Sequence, residues 1–439
     1  MPFELVPGTS LHYYLVNFDA LGNERDEADG TKMSQTLIQV LANEPITDVF
    51  FISHGWLGDI PAARNQYTKW ITAMAANTAD IEKLKQVRPN FKPLLIGLHW
   101  PSLPWGNETL TAKTEEAVVE SIVSEYAERI ADTEPARNAL RTIVTEALED
   151  VAPERLSGET VEAYQVLNQE AALGSEGEAA APGNDREPFD PETIYKETEI
   201  DEDSVPFDGS DGFILSRIFS PLRSLSYWKM KARARQFGER GGFQFLSQLQ
   251  LAAGEQTRFH LIGHSFGCIV VSASLAGLKG KGVLPRPVNS LSLIQGALSL
   301  WSYCADIPVA KGKPGYFYPF IADGKVAGPI ITTRSEHDSA IGTLYPLASG
   351  IVMSDPAFGD PPRYGGIGTF GIQGDGLEIS DIEMLPCDRV YHFEPGKIYN
   401  LEASKYICKI SPDAGLGGAH SSIDEPEVAH AVWSAVIGI

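Results

Sequence analysis

Short runs of consecutive apolar residues recur along the chain: Val49-Phe50-Phe51-Ile52, Leu94-Leu95-Ile96, Leu261-Ile262 and Ile330-Ile331. Runs this short and without strict alternation predict strands buried on both faces, as in a parallel sheet sandwiched between helices. Ahead of them, Phe3-Glu4-Leu5-Val6 and a run over 11–18 flank Pro7-Gly8-Thr9, which predicts a hairpin. Met33, Leu37 and Leu41, each four residues from the next, predict a helix over 32–42, and a second helix is expected near 62–76. Strands and helices in alternation make the fold class α/β, a mostly parallel sheet with helices on both faces.

The alternation stops near Leu103 and resumes near Gly212. Between them, three amphipathic helices are predicted. The first carries Val119, Val123, Tyr126 and Ile130; the second opens at Thr133-Glu134-Pro135 and carries Leu140, Val144 and Leu148; the third covers 159–172. The stretch 174–211 is acidic, rich in Ala, Gly and Pro and poor in apolar anchors, and is expected to be a mobile loop or tether. This divides the chain into a first part of an α/β core (1–102), a helical cap insertion with a flexible acidic segment (103–211) and a second part of the core (212–439). The cap reads as a movable lid.

After the insertion a long helix is predicted over 224–251, interrupted near Gly241-Gly242. Its cations Lys229, Lys231, Arg233, Arg235 and Arg240 read as a solvated face, with a docking surface for the acidic insert as the sharper alternative. Further strands are expected over 257–262, 289–294, 328–333 and near 397–401. A helix over 266–276 follows the first of these, and a last helix spans 425–436.

The formal net charge of −23 argues against binding nucleic acid or anionic membranes through bulk electrostatics. No apolar run reaches the length of a membrane span, and the start Met1-Pro2-Phe3-Glu4 lacks a basic region followed by an apolar one. Cys268, Cys304, Cys387 and Cys408 are far apart, with no C-x-x-C pair, so neither a disulfide framework nor a zinc site is expected. A cytoplasmic location is the resulting expectation. Asp201-Glu202-Asp203 and Asp208-Gly209-Ser210-Asp211-Gly212 lack the spacing and terminal Glu of a calcium loop.

The chemistry concentrates at Gly263-His264-Ser265-Phe266-Gly267, a G-x-S-x-G pattern between a predicted strand and a predicted helix. A strand turning at once into a helix strains its turn residue and lifts the serine oxygen clear of the sheet at the positive end of the helix. The flanking glycines suit the close approach of strand and helix. A serine nucleophile needs a base, and imidazole has a suitable pKa. In the order Ser, acid, His, the bases available are His337, His392, His420 and His430. His420 is preferred, in the small-residue loop Gly417-Gly418-Ala419-His420-Ser421-Ser422. His430 reads as a satisfied helix residue and His392 as strand-bound. The acid should follow the strand ending at Thr333: Asp338 first, Glu336 next, Asp306 third. Two N–H groups should hold the oxyanion, that of Phe266 after the nucleophile and that of Trp56 in His54-Gly55-Trp56. His54, Gly55, Trp100 and His264 are the expected substrate-binding residues.

These residues resemble the α/β-hydrolase superfamily in its serine esterase and lipase branch, over about 3–102 and 212–439. A narrower similarity is to bacterial α/β-hydrolases that pair an H-G-x turn, here His54-Gly55-Trp56, with a W-P-S turn, here Trp100-Pro101-Ser102. Those proteins follow with an H-S-x-G elbow and an acid in an N-D-x-A-L-like segment, here His337-Asp338-Ser339-Ala340-Ile341, with His337 in place of Asn. The resemblance favours Asp338 over Glu336. It implies cleavage of a small-molecule carboxylic ester through an acyl-enzyme, without metal or organic cofactor. Trp56, Trp100, Leu103, Trp105 and Phe266 point to an apolar acyl group. Acyl transfer, amide cleavage and thioester cleavage would use the same triad, and a non-catalytic scaffold that serves as a binding protein is the remaining alternative.

Overall fold

The computed structural model describes residues 3–9, 11–56, 60–102, 115–149, 153–174, 178–197, 217–344, 361–410 and 418–438. Leu103, Trp105, Gly417 and the acidic clusters at 201–203 and 208–212 lie outside them.

Nine strands form one sheet: β1 (Glu4–Leu5), β2 (His12–Asn17), β3 (Asp48–Ser53), β4 (Pro93–His99), β5 (Arg258–His264), β6 (Ser290–Ile294), β7 (Ile330–Arg334), β8 (Ile379–Glu383) and β9 (Ile398–Glu402). Their spatial order is β1-β2-β4-β3-β5-β6-β7-β9-β8. Only β1 runs antiparallel, closing the expected hairpin with β2; every other pairing is parallel. The chain winds outward in one direction from β3 to β4 and in the other from β5 to β6. The crevice at the carboxyl ends of β3 and β5 is therefore a topological switch point, where open parallel sheets bind ligands.

Strand periodicity sorts the core into two layers. On β3, Val49 and Phe51 join a cluster on one face, while Phe50 and Ile52 join a cluster on the other. The second face is covered by α2 (Ile60–Ala76), α3 (Thr78–Val87) and the C-terminal helix Pro426–Ile437, through Tyr67, Trp70, Leu84, Val432 and Trp433. The first face is covered by α1 (Met33–Asn43), α8 (Ser220–Phe237), α9 (Phe243–Ala252) and α10 (Gly267–Ala276). The long helix expected over 224–251 is α8 and α9 joined by a π-helical segment, Gly238–Gly242. Gly238 and Gly242 pack there against α10, where a Cβ would meet Val270 O at 2.5 Å and Ser274 Oγ at 2.2 Å.

The three insert helices form as α4 (Glu115–Arg129), α5 (Glu134–Glu149) and α6 (Gly158–Ala171). Their apolar stripes, with Val123, Tyr126, Leu140, Val144, Tyr164 and Leu167, belong to the same continuous cluster as Leu222, Leu225 and Trp228 of α8. The insert extends one face of the core instead of hanging beside it.

Two expectations are corrected here. The acidic segment is ordered over 178–197: it contains α7 (Pro191–Glu197), and Asp185 and Arg186 are buried. The cations of α8 are not a solvated face. Lys231 is fully buried in an ion pair with Asp185 and lies 4.7 Å from the Trp228 ring centre. Lys229 Nζ donates to Ala171 O at 2.6 Å, and Arg233 donates to Glu128 O at 3.2 Å. The sharper alternative holds: α8 is where the insert docks. Burial lowers the Lys231 pKa to about 8 against the opposing pull of Asp185. β8 and α3 have no counterpart among the expected elements, and His392 lies in a loop rather than on a strand.

Candidate active site

Ser265 sits between β5 and α10 with φ 55°, a left-handed conformation that is costly for a residue with a Cβ. The surroundings enforce it. The Ser265 N–H donates to Ile294 O at 3.1 Å, and the Ala297 N–H donates to Ser265 O at 3.2 Å. The turn also closes on its glycines: a Cβ on Gly263 would lie 2.5 Å from Gly267 O, and one on Gly267 would lie 2.2 Å from Ser53 O. The serine is thus held at the carboxyl edge of the sheet at the first turn of α10.

Asp338 follows β7 and is fully buried. Its Oδ2 accepts from His420 Nδ1 at 2.8 Å and from Gln295 Nε2 at 2.7 Å, and its Oδ1 accepts from the Ile341 N–H at 3.0 Å. Of the alternatives, Glu336 is exposed beside His337, and Asp306 caps the Gly312 N–H at 2.6 Å in a separate loop. His430 is a buried, satisfied residue, bonded to Asp80 at 2.7 Å and to Arg389 O at 2.8 Å.

His264 ties the elbow to the histidine loop. Its Nε2–H donates to the His420 carbonyl oxygen at 3.0 Å, which leaves Nδ1 to accept from Gln66 Nε2 at 2.6 Å. The His264 and His420 rings lie 4.9 Å apart, centre to centre. Burial, then the neighbouring His420, holds the His264 pKa well below its ordinary value, so it stays neutral. This contact ties the His420 loop to the residue directly before Ser265. Ser265 Oγ and His420 are not hydrogen-bonded in this conformation, and such bonds commonly tighten only when substrate binds.

His54 and Trp100 are fully buried, so neither presents surface to a substrate here. They support the 55–56 turn instead. His54 Nδ1 lies 2.7 Å from Gly55 O, which can only accept, so Nδ1 carries the proton. Its Nε2 then accepts from His99 Nδ1 at 3.2 Å. Burial, with His99 adding to it, takes the His54 pKa down to about 3. Trp100 stacks on the His54 ring and donates from Nε1 to His54 O at 3.2 Å. The consequence is geometric. In a trans peptide the C=O and the next N–H point in opposite directions. Holding Gly55 O toward His54 turns the Trp56 N–H the other way. Gly55 itself lies against Ser265, where a Cβ would stand 2.6 Å from Ser265 Cβ. The other expected donor, the Phe266 N–H, has no acceptor among the described residues. The Trp56 ring is half-buried, stacked on Phe266 at 5.8 Å and edge-on to Tyr227.

Gln295, buried and at φ 46°, touches Asp338 and has no counterpart in the sequence reading. Its position directly after β6 was the available signal. Among the described residues no group of three or more His, Cys, Asp or Glu side chains could hold a metal ion, and no helix is long and apolar enough to cross a membrane. A cavity of about 580 Å³, lined by Ile71, Met74, Ile81, Phe91 and Trp433, lies at the amino ends of the strands, away from the elbow. No family model, no curated protein and no solved structure matches the chain.

Proposed function

We propose that this protein is a serine hydrolase that cleaves a carboxylic ester through an acyl-enzyme intermediate. The observation that carries the reading is Ser265, strained at φ 55° between β5 and α10, directly after His264, whose ring holds the backbone of the His420 that bonds Asp338. The order Ser, Asp, His and the location at a switch point of a parallel sheet support it, as does the sequence resemblance to α/β-hydrolases.

In this reading Ser265 Oγ attacks the carbonyl carbon while His420 Nε2 takes its proton. Asp338 fixes the imidazole with Nδ1–H toward itself and stabilises the imidazolium. The carbonyl oxygen, now negative, is held by the Phe266 and Trp56 N–H groups, a pair of donors of which each is worth about 3 kcal/mol of barrier. His420 returns the proton to the leaving alcohol. Water then enters, loses a proton to His420 and bonds to the acyl carbon; the acyl–Oγ bond breaks, the acid leaves and His420 returns the proton to Ser265 Oγ. The substrate is a neutral small-molecule ester, with Trp56, Phe266 and Tyr227 favouring an apolar acyl group. The protein acts without a metal or organic cofactor. Transfer to another acceptor, or cleavage of an amide or thioester, is the same chemistry with a different leaving group or acceptor.

The test is labelling with a fluorophosphonate probe, alongside a chain-length series of p-nitrophenyl esters, an amide and a thioester. Wild-type protein labels on one serine and Ser265→Ala does not. Equal labelling of the two would remove Ser265 as the nucleophile. Absence of labelling and turnover in folded wild-type protein would leave the scaffold acting as a binding protein.

A further inference from the structure

Gln295 is buried, backbone-strained and fully hydrogen-bonded, and it spends its side chain on the acid of the proposed triad. Its N–H donates to Thr333 Oγ1 at 2.9 Å, and the Thr333 hydroxyl donates back to Gln295 Oε1 at 2.9 Å. That reciprocal pair fixes which end of the amide faces the site. The NH2 end donates to Asp338 Oδ2 at 2.7 Å and to Gly368 O at 3.2 Å. Flipping the amide would press Oε1 against a carboxylate and a carbonyl, so the network admits one orientation. The left-handed φ of 46° is what brings the side chain of a residue at the end of β6 across to the loop after β7.

Both His420 and Gln295 donate to the same oxygen, Asp338 Oδ2. Each donor draws on the charge that the other uses. Resting on the hydrolase reading, we propose that Gln295 is a positioning residue for the general base: it fixes the plane of the Asp338 carboxylate at His420 and takes up part of its negative charge, with Thr333 as the lock on its orientation. A hydrogen bond to the charged form of an acid stabilises that form. Removing it concentrates the Asp338 charge on His420 and makes the imidazole more basic. The other titratable groups around the pair are His264, held neutral, and the Tyr227 phenol, whose pKa is raised well above its ordinary value by burial, then by Asp185 and Asp338. His337 faces Glu336 at the surface.

The experiment uses the full-length chain and two readouts. One is the pH dependence of the fluorophosphonate labelling rate, whose acidic limb reports the base. The other is the His420 imidazole pKa from an NMR titration, which requires no activity. Gln295→Met keeps the length of the side chain and removes both donors; it should move both midpoints up by about half to one pH unit. Gln295→Glu places a second carboxyl against Asp338 and should move them further up. Thr333→Val should give a smaller shift in the same direction, and Thr333→Ser, which keeps the hydroxyl, should restore the wild-type midpoint. Variants that lose thermal stability while both midpoints stay put, or move down, would overturn the proposal. Wild-type protein that fails to label would count against the hydrolase reading alone, since the NMR shift tests the coupling by itself.

Discussion

The close approach of Gly55 to Ser265 gives the sharpest prediction. A methyl on Gly55 would lie 2.6 Å from Ser265 Cβ, 3.1 Å from His264 O and 3.3 Å from His264 Nδ1. Carbon atoms pack at about 3.5–4.0 Å, so about 1 Å must open between the 55–56 turn and the nucleophile. Neither side yields easily. Ser265 is pinned by Ile294 O and the Ala297 N–H, and the Gly55 carbonyl is pinned by His54. Overpacking of this kind costs about 1–3 kcal/mol, which leaves an ordinary domain folded. Displacing a catalytic group by about 1 Å costs about 100-fold in rate. Gly55→Ala should therefore label with a fluorophosphonate about 100-fold more slowly while its urea unfolding midpoint falls only modestly. Gly158→Ala, at a helix start with no atom within 4 Å of the new methyl, is the control and should match wild type in both. Labelling of Gly55→Ala within about threefold of wild type would refute the claim that this turn carries an oxyanion donor.

Two further predictions concern stability. His54 has a folded pKa of about 3 and an unfolded one near 6.5, so between those values the unfolded chain binds the extra proton. Stability is therefore complete above about pH 6.5 and falls as the pH drops, by about 2 kcal/mol from His54 at pH 5. His264 and His260, also lowered by burial, act in the same direction. Urea unfolding at pH 7.5 and pH 5 should show this loss, smaller by about 2 kcal/mol in His54→Gln, and an equal loss in both proteins would contradict it. Lys231→Met should cost about 3–5 kcal/mol, because it leaves the Asp185 carboxylate buried without its cation; Lys231→Met with Asp185→Leu should recover most of that loss. A cost below about 1 kcal/mol for the single variant would show that the pair does not anchor the insert.

What could be read from the sequence follows the range of the forces involved. β3 and β4 were legible because a strand buried on both faces is a nearly continuous apolar run whatever its partners. The edge strand β8, Ile379–Glu383, has only half-buried and exposed residues, and its sequence carries little to distinguish it from a loop. The cations of α8 misled because charge reads as exposure until a partner is known. Asp185 lies 46 residues away, in a stretch whose composition reads as unstructured. His54 and Trp100 were expected to bind substrate, yet their side chains turn inward and are fully buried, because a motif gives no side-chain direction. The place of Gln295 directly after β6 was readable, but its role depends on a backbone angle that no residue type announces outside glycine.

A count of ring nitrogens supports the proposal of His420 as base. A base that accepts the serine proton needs one ring nitrogen oriented and the other open. His54 uses both, on Gly55 O and His99; His264 uses both, on Gln66 and His420 O. His260 uses both, on Ser290 and Asp48, and His430 uses both, on Asp80 and Arg389 O. His420 has Nδ1 on Asp338 and, among the described residues, no partner on Nε2. His54 and His264 are held neutral by burial and spend their protons on the carbonyl oxygens of Gly55 and His420. Their imidazoles act as rigid spacers, one aiming the 55–56 peptide and the other holding the His420 backbone. In the proposed mechanism Asp338 then orients the one imidazole beside it, His420, whose second ring nitrogen has no partner among the described residues.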